Sequence, residues 1–136
     1  KKLNLHYAHL YGDVEENSEN MELEWGKLDR FTRYSNVSAA DYHKIRVHMM
    51  KTDGWSMDVT SLSPEQMELL AELEHIRWCR YHQFHNWRMG IPKNGARKDA
   101  TLRIHKDLIA YDELTEEEKE KDKGNIRMLQ KLFAES

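Results

Sequence analysis

Leu62-Ser63-Pro64-Glu65-Gln66-Met67 is the stretch whose reading decides the fold. Ser63 with Gln66 three residues on makes a capping box, in which each side chain satisfies a backbone N–H of the other. Pro64 falls on the first helical position, where its missing N–H costs nothing. Leu62 and Met67 occupy the two positions of a hydrophobic staple across that cap. Beyond it, Met67, Leu70, Glu74, Arg77, Trp78, Tyr81 and His85 recur at steps of three and four, with Leu69, Leu73 and Ile76 alongside. The spacing predicts a long helix from Pro64 to about His85.

Downstream, the pattern breaks. Gly90, Pro92 and Asn94-Gly95 are turn formers, and the flanking stretches 86–90 and 101–105 read as short strands paired in a hairpin. Thr115-Glu-Glu-Glu118 is a second capping box with an acidic first turn, which a helix dipole favours. It predicts a helix to about Phe133, with Ile126, Leu129 and Phe133 facing inward. Upstream, Thr52–Thr60 reads as a linker and the polar, acidic residues 12–22 as an exposed loop.

The two halves share a faint order of elements. Trp25-x-x-Leu28 and Tyr111-x-x-Leu114 each precede a helix, and Asn4-x-x-Tyr7 and His75-x-x-Trp78 each precede those. The expected architecture is therefore mainly α with a small antiparallel β element, as two pseudo-symmetric repeats sharing one core. Residues 1–60 form a degenerate first repeat plus linker, and 61–136 the second, together one compact unit.

With 136 residues, the chain falls within the size of a single domain. Its net charge of −3 excludes a wholesale polycation, and no apolar run approaches the ~18 residues of a membrane span. One cysteine, Cys79, excludes an internal disulfide framework and points to a reducing, cytoplasmic compartment. The eight histidines include the pairs His6/His9 and His82/His85, but no His-Glu-x-x-His motif, so neither a metal nor a cofactor is expected. A start without Met or an apolar leader suggests a piece of a longer protein.

Charge is uneven along the chain. Between Arg77 and Lys106 eight basic residues face one acid, Asp99, whereas Asp112–Glu120 holds six acids and one Lys. One reading is a cationic pocket for a phosphate-bearing ligand, since guanidinium forks match phosphate oxygens. The other is that the basic loop folds onto the acidic helix start and neutralises it. Trp78, Trp87 and Tyr111, with Arg77 and His105, could stack on a flat ring or simply form core. Glu74, one turn before Arg77 and Trp78, is expected to be ion-paired there. His75 and Cys79, also one turn apart, form no recognisable nucleophile–base motif, and an enzyme is not expected.

Glu74-His-Ile-Arg77-Trp78, Asn86-Trp87-Arg-Met-Gly90, His105-Lys-Asp-Leu108, Tyr111-Asp-Glu-Leu114 and Glu118-Lys-Glu-Lys-Asp122, in that order, resemble the RyR domain. This is the repeat of ryanodine receptors and of bacterial RyR-domain proteins. The resemblance covers about 70–133, and Asn86 stands where the family often has Gly. It implies a non-enzymatic regulatory or sensory module, the C-terminal piece of a longer signalling or ion-transport-associated protein. Such a module is cytoplasmic, on its own or as part of a membrane-associated protein.

By motif position the resemblance points to a pocket of Arg77, Trp78, Trp87, His105 and Tyr111, to which the charge pattern adds Arg88 and Lys98. Its expected partners are a small anionic ligand, nucleotide-like ones included, and neighbouring domains. The alternative is a protein-docking or self-association module without a small ligand, such as a homo-oligomer. The net charge and the acidic helix start argue against nucleic acid.

Overall fold

The computed structural model describes residues 1–134, and the side chains of all of these except residues 10, 11, 133 and 134. Phe133, expected to face inward, thus lies outside the described side chains. The chain is mainly α with a small β element. Helices α1 (Lys2–Gly12), α2 (Ser18–Gly26) and α3 (Arg30–Thr52) precede α4 (Pro64–Phe84). Strands β1 (Arg88–Met89), β2 (Lys98–Asp99) and β3 (Ile104–His105) follow, and α5 (Glu116–Ala134) closes the chain. It divides into two compact units, Lys1–Asp58 with the chain from Met128 onward, and Val59–Arg127. The last turns of α5, from Met128, belong with the first unit.

In the first unit α1 packs on α2 and α3. Leu3, Ala39, Met128 and Leu129 form a buried cluster flanked by Tyr7 and Leu132. Residues 12–22 are not one exposed loop, because α2 begins at Ser18. Its cap is Asn17, whose side chain accepts the backbone N–H of Asn20 at 2.8 Å. No residue of α2 is buried.

The second unit is organised by α4. Ser63 Oγ accepts the Gln66 N–H at 3.1 Å and Gln66 Oε1 accepts the Ser63 N–H at 3.0 Å, which completes the capping box. Met67, Leu70, Ala71, Glu74, His75 and His82 are its buried residues, whereas Leu69 is exposed. Ala71 packs with Tyr111 and Leu114, beside Ile109. The helix ends at Phe84, and Asn86 takes φ 67, a left-handed conformation that Asn tolerates better than most residues.

The sheet has the order β1-β3-β2. The stretches 86–90 and 101–105 do pair, but in parallel, with Arg88 opposite Ile104 and Met89 opposite His105. The hairpin is instead β2–β3, antiparallel, with Lys98 opposite His105. The chain turns back twice after β1, once at Lys93–Gly95 and once over residues 100–103, so β1 and β3 run the same way. Asp99 Oδ1 caps the second turn by accepting the N–H groups of Thr101 and Leu102 at 3.0 and 3.1 Å.

Gly90 closes β1 against β3. A Cβ there would sit 2.7 Å from Ile104 Cβ and 2.8 Å from its Cγ2, inside van der Waals contact. Gly90→Ala is expected to push β1 off β3 and cost about 1–3 kcal/mol. Urea denaturation would show it, with amide exchange rising at Arg88 and Gly90, which donate to Arg103 O and His105 O.

Candidate functional site

A cavity of about 350 Å³ opens in the second unit among α4, the sheet and the first turns of α5. Trp78 forms one wall. Its ring lies 5.7 Å from that of His75 at 19°, 4.1 Å from His82 and 4.8 Å edge-on from His105. Trp87 is buried at the back of this cluster, edge-on to His82 at 5.3 Å.

The hydrogen bonds assign the imidazole protons. The Asp107 N–H donates to His105 Nδ1 at 3.0 Å, so the proton of the neutral His105 ring is on Nε2. His82 Nδ1 donates to Trp78 O at 2.8 Å. Burial is the main cause that pushes both imidazoles down, each to about 4, so both rings are neutral near pH 7. His75 Nε2 donates to Ile109 O at 2.7 Å, which leaves Nδ1 facing Asp122 Oδ2 at 3.7 Å. Burial above all, then the Glu74 carboxylate, raise the Asp122 carboxyl to about 7, against the pull of Arg77.

The charge of the cavity is mixed, not uniformly cationic. Arg97, Lys98 and Lys121 line it together with Asp107, Glu118 and Asp122. Arg97 lies 3.6 Å from both Asp107 and Glu118, and Lys106 lies 3.6 Å from Glu118. The basic loop therefore does fold onto the acidic start of α5. Yet among the described residues neither Lys98 on β2 nor Lys121 on α5 forms an ion pair, so two cations of this wall keep no carboxylate partner.

Of the seven residues singled out by sequence, Trp78, Lys98 and His105 line the cavity. Arg77 does not. Its Nε lies 3.1 Å from both Glu74 oxygens and its Nη2 2.7 Å from Oε1, so the guanidinium is held by the expected ion pair. Trp87 supports from behind, and Arg88 is exposed on β1 away from the lining. Tyr111 lines a second cavity of about 300 Å³, which shares His75 with the first. Burial and the Glu68 carboxylate push its phenol up, and the Lys119 ammonium lies 5.2 Å over its ring.

The expected pocket left out Lys121, Asp122 and Asn125, although Asp122 ends the Glu118-Lys-Glu-Lys-Asp122 motif. With Glu118 they recur at helical steps of three and four on one face of α5, and Leu114, in the extended segment before the helix, adjoins them. Cys79 Sγ sits 3.3 Å from His75 Nε2, but burial pushes its thiol up to about 11, so it is a neutral neighbour. Among the described residues, no three His, Cys, Asp or Glu side chains are grouped to hold a metal ion, and no helix is long and apolar enough to cross a membrane. No family model, no curated protein and no solved structure matches this chain.

Proposed function

We propose that this is a non-enzymatic, RyR-like regulatory module whose second unit binds a small anionic ligand. The occupancy would pass to neighbouring domains of a longer cytoplasmic protein. The observation that carries the reading is the pair of unpartnered lysines, Lys98 and Lys121, supplied by two separate elements to one cavity beside Trp78. At about 350 Å³ the space suits a small ligand. Two cations against a low-dielectric wall focus the field into it. The neutral His105 ring supplies an N–H donor, and Trp78 gives a flat ring something to lie against. Trp87 backs the Trp78 ring through His82, and a ligand of nucleotide size with one phosphate group uses both features.

A thermal-shift panel of inorganic phosphate, AMP, cyclic AMP and ADP-ribose tests it. A compound at 100 times its Kd stabilises the fold by about 2.7 kcal/mol, a shift of several degrees. Lys98→Glu and Lys121→Glu are each expected to weaken the hit about tenfold or more, because each removes a charge-assisted contact of about 1.5–3 kcal/mol. Arg88→Glu is expected to leave it unchanged. A flat panel, or a hit that ignores both lysines, would overturn the reading.

One observation favours a docking module instead. Phe84, Ile91 and Leu102, flanking the sheet in sequence, are 84%, 72% and 57% exposed. Large apolar groups left in water mark contact surfaces when they are contiguous. Sedimentation of wild type against Phe84→Ser/Ile91→Ser separates the two, since a docking module would lose its association and keep any ligand shift.

A further inference from the structure

We propose that the cavity takes up its anion together with one proton, held between His75 and Asp122 on the cavity wall. The inference rests on the anion-binding reading above and adds its regulation. Its geometric basis is the hydrogen bond from His75 Nε2 to Ile109 O at 2.7 Å. A carbonyl oxygen only accepts, so Nε2 must carry a proton. In a neutral ring Nδ1 is then a bare acceptor, and it faces Asp122 Oδ2 at 3.7 Å. An acceptor facing a carboxylate is repulsive. One proton added between the two groups turns that contact attractive. Both residues line the cavity, so that proton changes the charge of the wall where the anion sits.

The surroundings decide where the change falls. Asp122 is faced by Glu74 and Arg77 from α4, by Asp107 beyond β3, and by Glu118 from its own helix. Three of these four are carboxylates. With burial they hold the Asp122 carboxyl up at about 7, where small changes of potential move its protonation. His105, from β3, and Cys79, on α4, also adjoin the pair, but both stay neutral across pH 6–8. An added anion beside Asp122 is one more negative charge, so it raises the affinity of the pair for a proton. By reciprocity a proton on the pair raises the affinity for the anion.

The test uses sulfate, which does not titrate near neutrality, and cyclic AMP, whose phosphodiester does not either. Affinity is measured by calorimetry from pH 6 to pH 9, in buffers of differing ionisation enthalpy. The expected result is uptake of a fraction of a proton near pH 7 and an affinity that falls about tenfold across the range, as it would if the bound anion made the pair hold its proton about tenfold more tightly. Asp122→Asn keeps the shape and is expected to abolish both the uptake and the slope. His75→Gln, whose amide can still donate to Ile109 O, is the second variant: it removes the Nδ1 acceptor and is expected to shrink the uptake and the slope, while the Asp122 carboxyl, held up by burial and its carboxylate neighbours, keeps part of both.

Binding without proton uptake, or a slope retained in Asp122→Asn, would overturn this inference and leave the anion site standing. Failure of both probes to bind at any pH would overturn the anion site, and the inference with it.

Discussion

Replacing Glu74 by Ala is expected to lower the unfolding free energy by about 3–5 kcal/mol, because it strips a buried guanidinium of its carboxylate. Glu74 is 2% exposed, and Arg77 meets it at three short contacts. Two effects set the size. The ion pair itself is worth little against an apolar replacement of the same volume, since both charges were desolvated to form it. The loss comes from what remains when only one of them goes. Asp122 offsets part of it, because Glu74 is one of the groups that hold its carboxyl high and Arg77 is the one that draws it down. In Glu74→Ala the carboxylate that raises the Asp122 carboxyl is gone while the pull of the guanidinium remains, so that carboxyl ionises more readily. The double variant Glu74→Leu/Arg77→Met should therefore recover most of the stability that Glu74→Ala loses. Urea titrations of the three proteins decide it. A Glu74→Ala loss under about 1 kcal/mol, or a double variant as weak as the single, would show that the pair is not what organises this wall.

The same pair shows how far a site can be read from a sequence. Glu74 and Arg77 are one helical turn apart, and their pairing followed from spacing alone. Long local signals were legible for the same reason: the Ser63–Gln66 box and the steps of three and four placed α4 to within a residue of its end. Helix α2 was not legible, since it buries nothing and so carries no apolar period. The direction of β1 hid in the turn at Asp99, whose side chain, not a glycine, supplies the reversal. In the site, motif position picked out Trp78 and His105, which line the cavity, and also Arg77, whose guanidinium is paired with Glu74. Glu118, Lys121, Asp122 and Asn125 share one helix face, a signal present in the sequence. It was masked by the acidic run 112–120, which has a sufficient explanation in the helix dipole. The contact of His75 with Asp122 joins distant parts of the chain, and no local pattern encodes it.

Acid is expected to destabilise the fold between pH 6.5 and about 4, and Asp122→Asn is expected to make that loss steeper. His82 and His105 have folded values near 4 against 6.5 unfolded. As pH falls through 6.5 the unfolded chain gains two protons that the folded chain refuses, so stability present above 6.5 is lost down to about 4. Asp122 works the other way. Its folded value is near 7 against 3.8 unfolded, so the folded chain holds a proton that the unfolded chain has released, and this group gains stability as pH falls through the same window. Two imidazoles against one carboxyl leave one net proton. That is at most about 1.4 kcal/mol per pH unit, and less where solvent at the cavity mouth screens the charges. Asn at position 122 removes the opposing group, so the slope should rise toward two protons while the protein becomes more stable above pH 7, where the strained carboxylate is gone. His105→Asn should reduce the slope instead. Urea midpoints measured in half-unit steps from pH 4 to pH 8 give the number of protons directly. An Asp122→Asn slope equal to or flatter than wild type would mean that Asp122 is an ordinary ionised carboxylate. In that event the wall carries a fixed charge, and its affinity for an anion cannot be set by a proton at that position.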